Sequence, residues 1–233
     1  MAVTPADPNE AFVREVDENL RRDQAEQFLK KNLPLILGGV LLLLGAIAGV
    51  LYWQNRQAEA AARDSEALVA AMEALGNRQP GAADRLEPLL ESSSGGIAAQ
   101  AALTKAAAAL MTGDRTAAVA LYKALAEDDG QSRPVRDLAT IRQTALEFDS
   151  LAPQAVIARL EPLAKPGNPW FGSAGEMTAM ALLKQNKTAE AGRLFAAIAA
   201  DKDVPASIRS RAVQIAGTLG VDASDALPDL TRG

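Results

Sequence analysis

The chain has no cysteine and no histidine in its 233 residues. Zinc sites almost always draw on those two ligands, so a zinc site is nearly excluded. Ser–His and Cys–His catalysis are excluded outright. Without cysteine there are no disulfides and no lipid-modified N-terminal Cys, although the redox compartment stays unreported. Aromatic residues make up only 4%. Aliphatics and alanine dominate instead, which favours helix over strand because alanine loses no side-chain entropy in a helix. Basic clustering is also missing. The formal net charge is −5, and no stripe of Lys and Arg is available for a phosphate backbone, so no nucleic acid is expected as a partner.

Catalytic patterns are equally scarce. No G-x-x-x-x-G-K-[ST] or G-x-G-x-x-G phosphate cradle occurs. The serine run Ser92-Ser93-Ser94 abuts Gly95-Gly96 with no candidate base beside it and reads as a flexible linker. Nothing marks Lys165 or Lys184 as the desolvated partner that Ser–Lys catalysis needs. Asp128-Asp129-Gly130 lacks the alternating oxygen ligands of a calcium loop and reads as a turn. The expectation is a non-enzymatic protein without cofactor or metal.

One long apolar run is present. Residues 33–53, Leu33 to Trp53, carry no charge. As a helix they span roughly 30 Å, the thickness of a hydrocarbon core. Pro34 is expected in the first turn, where a missing N–H costs little. Tyr52 and Trp53 stand at the far end, where amphipathic rings favour the interface. Arg21, Arg22, Lys30 and Lys31 precede the run, and Arg56 and Arg63 follow it. That excess points to a single-pass inner-membrane protein with its N-terminus in the cytoplasm and its C-terminal bulk in the periplasm. A cleaved signal peptide fits less well, because the apolar run is longer than a signal core and 32 residues precede it. Gly45 and Gly49 form a G-x-x-x-G pair that lets two membrane helices pack closely, in a homo-oligomer for instance. Glycine is also simply common in membrane helices.

Residues 1–32 form a cytoplasmic stub. Its first nine residues are polar and contain proline, with no sign of order. Phe12, Val16 and Leu20 recur at helical spacing amid mixed charge, which predicts a partly helical segment. It suits a cytoplasmic partner or the membrane surface, and reads equally as a solvated extension of the membrane helix.

The region after the membrane segment contains a duplication. Arg85-Leu86-Glu87-Pro88-Leu89 returns as Arg159-Leu160-Glu161-Pro162-Leu163, 74 residues later. The stretch 113–122 resembles 186–195 at an offset of 73. Each period is about twice the ~34-residue tetratricopeptide unit. Four helix-turn-helix units are therefore expected over residues 56–220, at about 56–91, 97–129, 134–164 and 170–200. A capping helix follows at 206–219, and residues 221–233 read as a disordered tail.

The second and fourth units resemble the tetratricopeptide pattern. A small residue is followed four later by an aromatic, Ala118 then Tyr122 and Ala191 then Phe195. The small residue lets paired helices approach, and the ring fills the gap one turn on. Ala106 and Ala109, and Ala179 and Leu182, stand at the close-contact positions of the first helices. The usual Trp and Gly of the first helix are absent, and the first and third units fit the pattern poorly. A helical bundle without repeats is the alternative. The fold class is thus all-α: one N-terminal transmembrane helix, then a tetratricopeptide-repeat-like (TPR-like) α-solenoid of about four helix pairs. In such arrays the first helix of each pair lines the binding face. That face would carry Leu103, Leu110 and Met111 in the second unit and Glu176, Met180 and Lys184 in the fourth. For any single Leu or Met among them, burial in the core is the stronger reading.

The layout resembles a bacterial family. A charged stub with FVREVDENLRRDQAEQFLKKN, one membrane helix and a TPR-like domain are similar to the ancillary subunit of the Sec translocon, over residues 10 to about 220. The resemblance implies lateral association with the Sec translocon and with a membrane-anchored periplasmic chaperone. It also implies protein partners among secreted chains, a part in handing them onward, and a part in envelope stress control. A TPR scaffold for another envelope assembly, in cell division or outer-membrane biogenesis, is the alternative.

Overall fold

The computed structural model describes residues 8–223, and every regular element among them is a helix. The chain divides into two compact units, Met1–Glu59 and Ala60–Gly233. Helix α1 (Pro8–Gly76) contributes residues to both.

In the first unit α1 is helical from Pro8 onward. The predicted stripe of Phe12, Val16 and Leu20 concerns side chains outside the described residues, as residues 1–7 and 224–233 also are. Pro34 lies inside α1, not in its first turn. The stub ahead of it is rich in Glu, Gln, Lys and Leu, strong helix formers that carry the helix through. Near this point Asn32 Nδ2 donates to the Phe28 carbonyl at 2.8 Å. Beyond it the side chains face outward: Leu35, Leu41, Leu42, Leu51 and Trp53 are all exposed. The most apolar 18-residue window has a mean hydropathy of 1.8 and none of it is buried. This helix is long and apolar enough to cross a membrane. Arg56 Nε donates to the Tyr52 hydroxyl at 3.2 Å, with the guanidinium 5.5 Å from the ring centroid. Such a pair keeps the charge at the polar end of an apolar helix.

In the second unit the elements follow as a 3₁₀ helix (Ala83–Glu91), α2 (Gly95–Met111), α3 (Arg115–Glu127), α4 (Arg133–Glu147), α5 (Pro153–Leu160), α6 (Phe171–Lys184), α7 (Thr188–Ala200) and α8 (Ala206–Thr218). They pair in order: the end of α1 with the 3₁₀ helix, α2 with α3, α4 with α5, α6 with α7, and α8 over the last pair. Each pair closes a small apolar cluster. Leu68 and Ala71 meet Leu86, Leu89 and Ala101. Ala106 meets Ala118, Tyr122 and Ala139. Ile141 meets Val156, Leu160 and Ala174. Phe171, Phe195 and Ile198 meet Ala212 and Ala216.

The duplication is visible in burial. Leu86 and Leu160 are both 0% exposed, and Leu89 and Leu163 both 3%. Ala118 matches Ala191, Tyr122 matches Phe195 and Leu125 matches Ile198, all buried. The proline of the RLEPL motif has a local consequence in each copy. Pro88 sits in the 3₁₀ helix that replaces the expected α-helix. In the second copy α5 stops at Leu160, just before Pro162, which lacks the N–H that would continue the helical bonds, while Glu161 itself stays helical (φ −49°, ψ −42°). The serine linker is pinned: the Ser92 hydroxyl donates to Asp64 at 2.6 Å and its oxygen accepts from the Ser94 N–H at 3.2 Å. Asp128 closes the next turn by accepting from the Gly130 N–H at 2.9 Å.

The last pair packs most closely. A Cβ on Gly172 would stand 2.8 Å from Val204 Cγ1, and one on Gly192 would stand 2.8 Å from Val221 Cγ2. Val221 and Ala223, past the end of α8, lie against this core.

Candidate functional site

Helices α4 and α6 lead successive pairs and α8 follows the last one, and the sides of these three form a groove of about 450 Å³. Phe148 enters from the end of α4, Met177 and Met180 from α6, and Ile215 from α8, over a floor that includes Phe195. The periodicity of α6 explains the division of labour. Phe171, Ala174, Thr178 and Ala181 turn inward and are buried, which leaves Glu176 and Met180 for the groove. Glu176 and Arg211 form a bidentate pair at its edge, both bonds 2.6 Å. The geometry is the strong fork-to-carboxylate kind. Its hydrogen bonds, and then its charge, raise the Arg211 guanidinium above its ordinary pKa. One turn beyond Met180, Lys184 Nζ sits 4.3 Å from the Phe148 ring centroid and donates to Asp149 at 3.1 Å. The edge therefore carries both charge signs around an apolar centre, which suits a peptide or helix face with mixed composition.

The six face residues expected from the sequence fall in different places. Glu176 and Met180 come together in the groove, and Lys184 flanks it while holding α6 to the α4–α5 turn. Leu103 is partly buried against the α2–α3–α4 core. Leu110 is half-exposed at the end of α2. Met111 lines a separate cleft of about 750 Å³ beside the turn that follows α1. Arg211, Phe148 and Ile215 escaped the sequence reading. Glu176 and Arg211 are 35 residues apart, with no local pattern linking them. Gly45 and Gly49 lie on an open stretch of α1, where an added Cβ meets nothing within 4 Å. No group of three or more acidic residues among the described residues is placed to hold a metal ion.

No curated protein and no solved structure matches this chain. A family described as tetratricopeptide repeat-like domain matches residues 26–216. The match starts ahead of the apolar run and ends within α8, so it takes in both the exposed helix and the paired-helix unit. With most of its length inside that match, the chain belongs to the tetratricopeptide repeat-like domain family.

Proposed function

We propose that this protein is a membrane-anchored, non-enzymatic adaptor that binds other proteins, and that it serves the Sec translocon as an accessory subunit. The observation that carries the binding reading is the groove of α4, α6 and α8: an apolar centre with charged edges, within a tetratricopeptide repeat-like array. Repeat arrays of this kind bind proteins in general. The exposed apolar surface of α1 supports the anchor, because a stretch of that size is stable in lipid and strongly unfavourable in water. In this reading residues 33–53 span the inner membrane and the excess of Lys and Arg keeps the stub in the cytoplasm. The paired helices then work in the periplasm. Glu176 and Met180 contact partners from the groove and Lys184 from its flank, with Leu110, Met111 and the outer side of the partly buried Leu103 serving the second unit. Gly45 and Gly49 give a neighbouring membrane helix its closest approach. The partners are the translocon, a membrane-anchored periplasmic chaperone and secreted chains. The layout of charged stub, single apolar helix and paired-helix domain supports this choice.

Crosslinking in intact cells tests it. Photoreactive residues at positions 38, 53 and 180 should form adducts with translocon subunits or with nascent secreted chains. Adducts confined to division or outer-membrane assembly proteins would replace the translocon role with a scaffold role. Labelling of position 38 by soluble cytoplasmic proteins would remove the anchor.

A further inference from the structure

Helices α1, α2, α6 and α8 all end in the same reverse turn, with one long and one short bond. Gln79 N–H donates to Ala74 C=O at 2.9 Å and Arg78 N–H to Leu75 C=O at 3.0 Å. The turns at Gly113, Asn186 and Gly220 repeat this pair of bonds. The left-handed position is occupied by Gly113 (φ 82°), Asn186 (φ 60°), Gly220 (φ 80°) and Arg78 (φ 52°). Glycine and asparagine adopt that conformation readily, whereas a long side chain is strained there. Arg78 is thus the residue the fold would not choose, and such outliers collect where function needs them.

Arg78 lines the cleft of about 750 Å³ whose apolar wall includes Leu75, Pro80, Met111 and Leu121. Met111 is 78% exposed. Two of the other charged groups of the cleft are already engaged. Lys105 pairs with Glu87, and Asp114 accepts from the Ala117 N–H at 2.9 Å. Asp84 also lines the cleft, from the first turn of the 3₁₀ helix. Among the described residues no carboxylate pairs with Arg78. The second copy of the repeat shows the same place closed. There Lys184, equivalent to Met111, reaches Asp149 at 3.1 Å, and Gln185, equivalent to Thr112, donates to Gln154 at 3.1 Å. Met111 and Thr112 make no such bridges, and the first copy stays open.

We propose that this cleft is a docking site for an apolar segment of another protein that carries a carboxylate. Apolar side chains rest on Met111 and Leu121, and the carboxylate meets Arg78. The proposal rests on the protein-binding reading and assigns it a second surface, away from the α4–α6–α8 groove.

The test uses the full chain in detergent and fluorescence anisotropy with labelled ten-residue peptides, Leu-rich with two Glu, and the same peptide with Lys for Glu. The Glu peptide should bind about fivefold more tightly. Arg78→Gly should abolish that preference while raising Tm, since glycine relieves the turn. Met111→Ser should weaken both peptides without lowering Tm. Equal binding of the two peptides, or affinities unmoved by both substitutions, would overturn the proposal. Binding lost with Met180→Ser but kept with Met111→Ser would overturn the cleft and leave the protein-binding reading standing. Absence of binding by either peptide would also overturn this occupant, and the cellular crosslinks would judge protein binding separately.

Discussion

The two copies of the repeat in the second unit agree at their larger buried side chains and differ at close helix contacts and at their surfaces. Leu86 and Leu160, Ala118 and Ala191, and Tyr122 and Phe195 hold equivalent buried places. The close contacts between helices are made differently. The last pair uses Gly172, Gly175 and Gly192, where the earlier pair has Ala99, Ala102 and Val119 at the same offset. The turns differ too: Asp114 caps α3 through its side chain, and its equivalent Lys187 does not cap α7 that way. A duplicated core tolerates little change because close packing registers each methylene. Surfaces are free to diverge, and there the two copies acquire a bridged groove on one side and an open cleft on the other.

Substitutions at matched positions test how far the agreement goes. The largest effect is expected at the buried rings. Phe195→Ala should cost about 3–5 kcal/mol, and Tyr122→Ala should fall within about 1 kcal/mol of it if the two cores are equivalent. Denaturant unfolding of the full chain in detergent measures both, and a Tyr122→Ala cost near zero would break the comparison. Next is the close approach. Gly172→Ala should destabilise by about 1–2 kcal/mol, because the stiff Val204 must give way while the helix gains some propensity. Ala99→Gly, the reverse change in the earlier pair, should cost about 1–2 kcal/mol, from backbone entropy and from the buried methyl it removes. Smaller again is the cap. Asp114→Ala should lose about 1 kcal/mol, whereas Lys187→Ala should lose little.

The smallest effect belongs to the repeated motif itself. Its glutamate pairs with Lys105 in the first copy and with Lys165 in the second. A hydrogen bond from Lys165, then its charge, holds the Glu161 carboxyl below its ordinary value of 4.5. A lowered carboxyl pKa means that the pair's contribution is present above the ordinary value. It is lost as pH falls through the lowered one. Glu161 is fully exposed, so Glu161→Gln should leave Tm at neutral pH unchanged, while carboxyl chemical shifts report a midpoint below 4.5. A midpoint above 4.5 would mean the pair does not form in solution.

Helix pairs, turn positions and the capping helix were legible because their signals are local. RLEPL recurs at a fixed spacing, Gly113-Asp114 and Asn186-Lys187 mark turns, and buried residues follow helical periodicity. The apolar run was legible from length and charge alone. The groove was half-legible. Met180 and Glu176 stand on the outward side of a periodic helix, but Arg211 joins them only after two intervening turns. Leu103 shows the opposite limit: its spacing suits an outward face, and packing by α3 and α4 draws it inward. The 3₁₀ helix was also missed, since a short run with a proline near its end satisfies either helical pattern.

By itself the sequence determined an all-helical chain with one apolar helix, a duplicated array behind it, and no thiol or imidazole chemistry. Those features depend on composition and on short-range periodicity, which a linear chain records directly. Tertiary structure alone decided that Glu176 meets Arg211 and that Lys184 bridges to the α4–α5 turn while Met111 leaves its cleft open. It also decided that Arg78 takes a left-handed turn otherwise held by Gly or Asn. The contacts are set by how whole helices stack, which brings together residues that no local pattern connects, and the Arg78 dihedral by where its helix closes.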